Sequence, residues 1–289
     1  MNIIKNLPGP LLVFMGACSL SFGGLIVKSF EGANLWQILF WRSVFFSIIV
    51  LFFLFLNYKK NFFNSIYKIG LPGFFGGIVL SCGYAGYVFA MYNTTVANVL
   101  FILSAIPFVT AIIAYLFIKE KIKLPTILMM AFAAIGITIM VSEGINSGNA
   151  FGNTMAIITL LCFSCFPVIL RNNRHIDMLP TLLVPALIIG ITGLLIKGNQ
   201  IQISNNDLIL SFIWGGLLNG FAHSIFIIAT RHLLAAEITL FMLLEFSLGP
   251  LWVWYFIGET PAVNTLLGGS IVMTAIACLL YTSPSPRDR

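Results

Sequence analysis

Charge is what this sequence has least of. Only 8% of its 289 residues are Asp, Glu, Lys or Arg, and 59% are hydrophobic, whereas soluble domains carry about 25% charged residues. So few charges cannot cover a surface that faces water, which excludes a soluble globular protein. The longest hydrophilic stretches, 142–153 and 198–207, are too short to form a separate domain. The composition therefore predicts an all-α membrane protein with several spans.

Catalytic patterns are lacking as well. The chain has no glycine loop of the kind that holds phosphates, no cluster of metal ligands, and no Ser, His and Asp in a recognisable hydrolase context. We therefore expect no enzyme activity, no cofactor and no metal. We also expect no nucleic-acid partner, because the net charge of +6 comes from basic residues at the ends of apolar runs, not from a patch.

The five cysteines all lie within apolar runs. Cys162 and Cys165 have the spacing of a redox or metal pair, but no second pair or nearby histidine completes such a site. We interpret the cysteines as small packing residues.

Apolar runs of membrane-spanning length are the dominant pattern. Ten spans are predicted, at 10–29, 34–56, 68–91, 95–118, 124–142, 151–170, 179–197, 208–230, 235–257 and 262–281. Lys and Arg concentrate on one side of these spans, and only Lys28, Arg42 and Lys197 fall on the other. Because basic loops stay in the cytoplasm, we predict a multi-pass protein of the inner (cytoplasmic) membrane with both termini cytoplasmic.

The two halves of the chain resemble each other weakly. An ungapped shift of 139 residues places Gly76-Gly77 on Gly215-Gly216 and aligns Phe117-Ile118-x-Glu120 with Phe256-Ile257-x-Glu259. We predict two five-helix repeats, 8–143 and 150–281. Because five spans is an odd number, the halves would insert in opposite senses, as an inverted repeat.

The last residues, 278–289, resemble the translated read-through of a common sequencing adapter. We treat them as a suspected non-native tail; the alternative is a short disordered tail.

Glu245 lies near the middle of the ninth span, where an ionisable group is costly and usually functional. We expect it to handle substrate or protons; the alternative is a structural pair with a buried partner such as His223 or Arg42. Arg42 in turn either snorkels outward or faces a cavity and pairs with an anion or a carboxylate.

Polar residues of the third and eighth spans indicate the walls of a central site. Asn219 and His223 share one helix face, and Tyr84 is the repeat equivalent of His223. Ser81, Tyr84 and Tyr87 or Val88 form a stripe on the third span. The alternative for His223 is an interhelical hydrogen bond.

The ninth span carries further candidates on one predicted face: Glu237, Phe241, Glu245 and Trp252. Glu237 is better explained as a surface ion pair with Arg231. The candidate substrate-binding residues are Glu245, His223, Tyr84, Asn219, Arg42, Ser81, Trp252, Phe241, Asn98 and Ser21.

Prolines and glycines within the spans are candidate hinges. Pro107 and Pro250 each leave a carbonyl one turn earlier without its helical donor. With Pro167 and Gly23 they would flank a cavity. The alternative, for the small residues, is close helix packing.

Two segments resemble the drug/metabolite transporter superfamily, in its EamA-type branch. In the run from Ile106 to Glu120, a proline is followed thirteen positions later by glutamate, as in that family's fourth span. The run from Leu244 to Glu259 resembles the ninth-span counterpart, with Phe246 where the family often has proline. Phe40-Trp41-Arg42 also fits the branch.

The resemblance implies ten helices in two inverted repeats, around a cavity formed mainly by spans three, four, eight and nine. It also implies alternating access by rocking about the kinks. Its members move amino acids, nucleotide-like metabolites, organic cations or organic anions.

The charges of the candidate site favour a small polar substrate. Glu245 and its aromatic neighbours suit an ammonium group, Arg42 and His223 suit a carboxylate, and together they suit a zwitterion such as an amino acid. We expect a secondary active or facilitative transporter of an amino acid or other small nitrogenous compound. The alternatives are an organic-anion transporter of the same fold and, in another class, a non-transport membrane enzyme or scaffold. The expected partners are the substrate, the lipid bilayer and protons carried by Glu245, with the chain a monomer or homodimer.

Overall fold

A computed structural model describes residues 9–93, 99, 102–103, 105–141, 150–229, 233, 235–258 and 263–282. Within these residues the chain forms helices and no strand. In lipid a helix satisfies its own backbone hydrogen bonds, so this outcome follows from the apolar composition. The predicted all-α membrane class is confirmed.

The helices follow the predicted spans closely. They are α1 Gly9–Leu20, α2 Gly23–Lys28, α3 Leu35–Tyr58, α4 Phe62–Lys68, α5 Gly70–Asn93, α6 Ile106–Ile118, α7 Leu124–Val141, α8 Ala150–Asn172, α9 Leu179–Lys197, α10 Asn205–Ala229, α11 Ala235–Met242, α12 Leu244–Ile257 and α13 Val263–Thr282.

Five of these helices, α3, α5, α8, α9 and α10, are long and apolar enough to cross a membrane. Four further apolar stretches are shorter, at Gly9–Leu20, Ile106–Ile118, Leu124–Ile139 and Leu266–Ala275. Large apolar side chains such as Phe55, Leu71 and Phe117 are exposed on the outside of the bundle, where lipid would cover them. The chain is a multi-pass membrane protein, and the count of ten spans stays a prediction.

Four of the predicted spans are interrupted. The first breaks at Ser21–Phe22, between α1 and α2, and the ninth breaks at Leu243, between α11 and α12. The fourth has a turn at Ala105 just before α6, and residues 212–220 of α10 form a π-helix. Irregular backbone at membrane depth is tolerated where it is buried in protein or lines a cavity, and π-segments often mark functional sites.

The candidate hinges have different places in these interruptions. Pro107 lies in the first turn of α6, a position that proline favours, and Gly23 is the first residue of α2. Pro167 is buried inside α8, which continues through it. The break of the ninth span is at Leu243, whereas Pro250 lies inside α12, so the kink beside Glu245 comes one to two turns earlier than the proline predicts.

Helix packing relates the two halves of the chain. The most extensive contacts join α5 to α8, and the contacts that the predicted repeat makes equivalent join α10 to α1. In the same way, the contact of α3 with α10 corresponds to the contact of α9 with α5. When the two halves are exchanged, the contacts of α3 with α9 and of α7 with α13 each correspond to themselves. This pattern of neighbours is what two related five-helix units would produce.

Glycines allow the closest of these approaches. A Cβ atom on Gly215 would clash with the carbonyl oxygen of Arg42 and lie 2.8 Å from its Cα, and one on Gly77 would clash with Val184. The glycine pairs thus act as packing residues, as membrane helices commonly use them. Gly215 in particular brings α10 against the backbone of α3 at Arg42.

We predict that Gly215→Ala destabilises the protein by about 1–3 kcal/mol, because the added methyl forces α3 and α10 apart. Gly249→Ala is the matched control: its Cβ would meet the Ser21 carbonyl oxygen at an ordinary 3.6 Å. Since alanine is intrinsically favoured over glycine within a helix by about 0.5–1 kcal/mol, this control should be neutral or stabilising. Thermal unfolding in detergent measures both, and equal melting temperatures for the two variants would contradict the prediction.

Candidate functional site

An internal cavity of about 120 Å³ lies where the four interruptions meet. Residues at or beside each of them line it: Leu20 and Gly23 in the first span, Ile106 in the fourth, Asn219 in the eighth and Leu243 in the ninth. The breaks in the helices are therefore grouped around one space, as they are in transporters with discontinuous helices.

Five of the predicted binding residues line this cavity together. They come from α3, α5, α10 and α12 and are Arg42, Tyr84, Asn219, His223 and Glu245. Four elements far apart in sequence thus place their polar side chains in one space. Tyr87, from the stripe predicted on the third span, also lines it.

Four of the other five predicted binding residues do not line the cavity. Ser81 is buried and donates its hydroxyl hydrogen to the Gly77 carbonyl at 2.7 Å. Phe241 is 0% exposed within the apolar core, because the break at Leu243 ends the helix face that was predicted to join it to Glu245. Ser21 and Trp252 bind each other beside the cavity, and Asn98 lies outside the described residues.

Arg42 contacts aromatic rings and forms no salt bridge with any described residue. Its guanidinium carbon lies 4.4 Å from the ring centre of Trp214 and 5.2 Å from that of Tyr84, which are cation–π distances. The residue is 8% exposed, and its Nη1 has no hydrogen-bond partner within the described part of the chain. A buried cation with a free donor can bind an anion or a carboxylate.

Gly23 makes room for this arrangement. A Cβ atom there would lie 3.2 Å from Nε1 of Trp214, so any larger residue would press on the indole that faces Arg42. The position of Gly23 beside the break thus has a packing role, the alternative that the sequence left open.

Tyr84 and His223 extend the polar wall from Arg42. The Tyr84 hydroxyl is buried and has no partner among the described residues, and the ring meets that of His223 edge-on at 5.2 Å. Nδ1 of His223 lies 2.9 Å from the Asn219 carbonyl oxygen. Because a carbonyl only accepts, Nδ1 donates, and the hydrogen bond expected between helices lies within α10 instead.

The π-helical segment accounts for the position of Trp214, a cavity residue that the sequence did not predict. Asn219 donates from Nδ2 to the Trp214 carbonyl five residues earlier, at 2.6 Å, which satisfies an oxygen within the widened turn. The same turn brings Trp214 into the cavity wall beside Asn219. No periodicity in the sequence indicates a π-helix, so Trp214 could not be placed there in advance.

Glu245 occupies the first turn of α12, where the helix dipole favours a negative charge. It lines the cavity and interacts electrostatically with Arg42 and Tyr87. No salt bridge joins Glu245 to Arg42 or to His223 within the described ranges. The structural pairing that would make Glu245 merely a buried partner is therefore not formed here.

Two side-chain contacts join helices that contribute to the cavity wall. Trp252 donates from Nε1 to the Ser21 hydroxyl at 2.8 Å and stacks on Phe22 at 4.5 Å, which joins α12 to the break in the first span. Arg171 donates to Glu120 at 2.9 Å, which joins the end of α8 to the residues after α6.

Residues 7–142 match the model of the EamA-like transporter family. The predicted family resemblance is confirmed. Together with the apolar helices, this match over residues 7–142 makes the chain similar to a membrane transporter of the EamA-like family. No curated protein matches this EamA-like chain.

Solved structures show the same fold. One, titled only "Crystal structure of protein", superposes with a TM-score of 0.77 and covers 94% of this chain and 96% of its own. Since the two sequences are 13% identical, the likeness establishes the fold of the EamA-like chain and nothing about its substrate.

We predict that Met242→Cys, introduced into a variant that lacks the five native cysteines, reacts with a small water-soluble thiol reagent. Met242 lines the cavity, whereas the adjacent Phe241 does not and is fully buried. Phe241→Cys is therefore the matched control and should react at least tenfold more slowly. Labelling read by mass spectrometry measures the two rates, and faster reaction at position 241 would place the water-accessible space on the wrong face of α11.

Proposed function

We propose that this EamA-like protein is a secondary active or facilitative transporter of a small zwitterion, such as an amino acid, across the cytoplasmic membrane. The observation that carries the proposal is the unpaired state of two opposite charges in one cavity. Arg42 has a free donor, Glu245 has no salt bridge in the described structure, and both line the same 120 Å³ space.

The free-energy cost of burying unpaired charges favours a ligand that itself carries two charges. Burying an ion without a partner costs several kcal/mol, and a ligand with complementary charges reduces that cost. A carboxylate can accept from Nη1 of Arg42 and from the Tyr84 hydroxyl, both of which lack partners. An ammonium group can then bind Glu245.

The size of the cavity favours a compact ligand. Sites for drug-sized molecules measure about 300–1,000 Å³, several times the volume found here. This supports an amino acid or a similarly small nitrogenous compound over nucleotide-like metabolites.

The organic-anion alternative draws on the same Arg42 and Tyr84. Glu245 argues against it, because a carboxylate that faces an anionic ligand repels it, and such repulsion is a common means of specificity. An anion transporter of this fold would need Glu245 to be protonated while it carries its substrate.

We further propose two inverted repeats, 8–143 and 150–281, with both termini cytoplasmic and alternating access to the cavity. The exchange of neighbours between the halves and the distribution of Lys and Arg support this arrangement. The first and fourth spans then run in opposite directions. The Trp252–Ser21 contact would close the outer side of the cavity, and the Arg171–Glu120 pair would close the cytoplasmic side.

We predict that Arg42→Lys and Glu245→Gln each reduce zwitterion uptake into proteoliposomes by about 10- to 100-fold, the equivalent of roughly 1.5–3 kcal/mol for a hydrogen bond to a charged group. Lysine keeps the charge of Arg42 but not its planar fork or its stacking. The exposed Arg174→Lys and Glu31→Gln are matched controls and should transport normally. If Glu245 also carries a proton, Glu245→Gln removes the stimulation of residual uptake by a pH gradient; unchanged uptake in both cavity variants would refute the proposal.

We predict that Glu120→Arg or Arg171→Glu alone opens the cytoplasmic side of the cavity. Like charges then face each other across a contact now 2.9 Å long, and the cysteine at position 242 should label several-fold faster from that side. The double exchange restores opposite charges and should return the rate towards that of the parent. Labelling of inverted vesicles with an impermeant reagent measures this, and equal rates in the single and double variants would show that the pair does not close the cavity.

A further inference from the structure

The polar and apolar groups of the cavity are separated along its length. At one end, which we name the head end, Arg42 lies against Trp214 and interacts with Glu245. Three turns further along α10, Phe226 stacks on Phe166 from α8 at 6.3 Å. With Leu80, one turn from Tyr84 on α5, these two phenylalanines form an apolar part of the wall, which we name the tail end.

The polar residues that α10 contributes to the wall end before the tail end is reached, and Thr239 of α11 is a further polar residue of the wall. Along α10 the lining residues run from Trp214 through Asn219 and His223 to Phe226, so the change from polar to apolar falls after His223. A zwitterion held by both charges at the head end has one remaining direction for its side chain, towards Phe166 and Phe226. That side chain loses its water there and gains no hydrogen bond from these residues, which favours an apolar group.

Phe163 lines the cavity and also packs against the backbone of α5. Its ring meets the Tyr84 ring edge-on at 5.9 Å. A Cβ atom on Gly83 would come within 2.5 Å of Cε1 and 2.6 Å of Cδ1 of this ring. The absence of a side chain at Gly83 therefore allows the Phe163 ring to occupy its position in the wall.

From this geometry we infer that the tail end is a side-chain subsite for compact apolar groups, and that Phe163, seated on Gly83, sets the size limit. The inference rests on the proposed function, since it assumes that a zwitterion is held at the head end. Phe163 and Gly83 then determine specificity, because they limit the size of the side chain that fits. Arg42 and Glu245 bind the charged groups that all zwitterions share.

Two substitutions should change the size limit of the side-chain subsite in opposite directions. Phe163→Ala removes the ring and enlarges the subsite, so larger side chains should gain relative to smaller ones. Gly83→Ala pushes the ring into the cavity, and larger side chains should lose. Gly86→Ala is the matched control, because its Cβ would crowd Thr159 at 2.6 Å in the same α5–α8 interface but touches no residue of the cavity wall.

The test is competition between radiolabelled amino acids for uptake into proteoliposomes, expressed as ratios of kcat/KM. We expect Phe163→Ala to raise the leucine-to-alanine ratio about tenfold or more, the usual effect of methylene-sized changes in an apolar pocket. Gly83→Ala should lower the ratio, and Gly86→Ala should leave it unchanged. Wild-type protein should prefer valine to its polar isostere threonine by up to about 100-fold.

The outcomes separate the two proposals. If wild-type protein transports amino acids but accepts threonine as readily as valine, or if the leucine-to-alanine ratio does not move in Phe163→Ala, the subsite is overturned and the zwitterion transporter stands. If no member of the panel is transported or competes, the proposed function is overturned, and the subsite with it. Should Gly83→Ala fail to fold, Phe163→Ala alone decides the size limit.

Discussion

The structure depends on a buried guanidinium, that of Arg42, which forms no salt bridge within the described part of the chain. Arg42 is held between the faces of Trp214 and Tyr84, and its position requires Gly215 to bring α10 onto α3 and Gly23 to leave space for the indole. A charge in this setting is tolerable where polar groups and water share the space. The interrupted helices around it provide that space, because their irregular backbone also needs a polar surrounding at membrane depth.

Glu245 adds a negative charge to the same cavity but forms no salt bridge with Arg42 in the described structure. The break at Leu243 starts a new helix just before it, so the carboxyl lies in a first turn, where the helix dipole favours negative charge. Two opposite charges thus face one cavity, each stabilised by its own surroundings. A ligand that carries both charges can bind both residues and is released when either residue moves, which suits a carrier better than a tight binder.

Part of this site follows from sequence alone. Arg42, Tyr84, Asn219, His223 and Glu245 are polar groups within apolar spans, and the cost of exposing them to lipid is enough to predict that they converge. Phe241 does not line the cavity, because the break at Leu243 interrupts the helix face that was predicted to join it to Glu245. Trp252 lies in the same α12 as Glu245 but binds Ser21 beside the cavity. The aromatic wall could not be predicted, since Phe163, Phe166 and Phe226 lie in runs where phenylalanines facing lipid, core and cavity look alike.

The central claim is that the cavity binds both charges of one small molecule. Thermal stabilisation of the purified protein by alanine, propionate and ethylamine at equal concentrations tests it most directly, since the last two each keep one of alanine's charged groups. The account predicts that alanine raises the melting temperature and that neither singly charged compound does so comparably. Stabilisation by propionate equal to that by alanine would contradict it and would assign the cavity to organic anions.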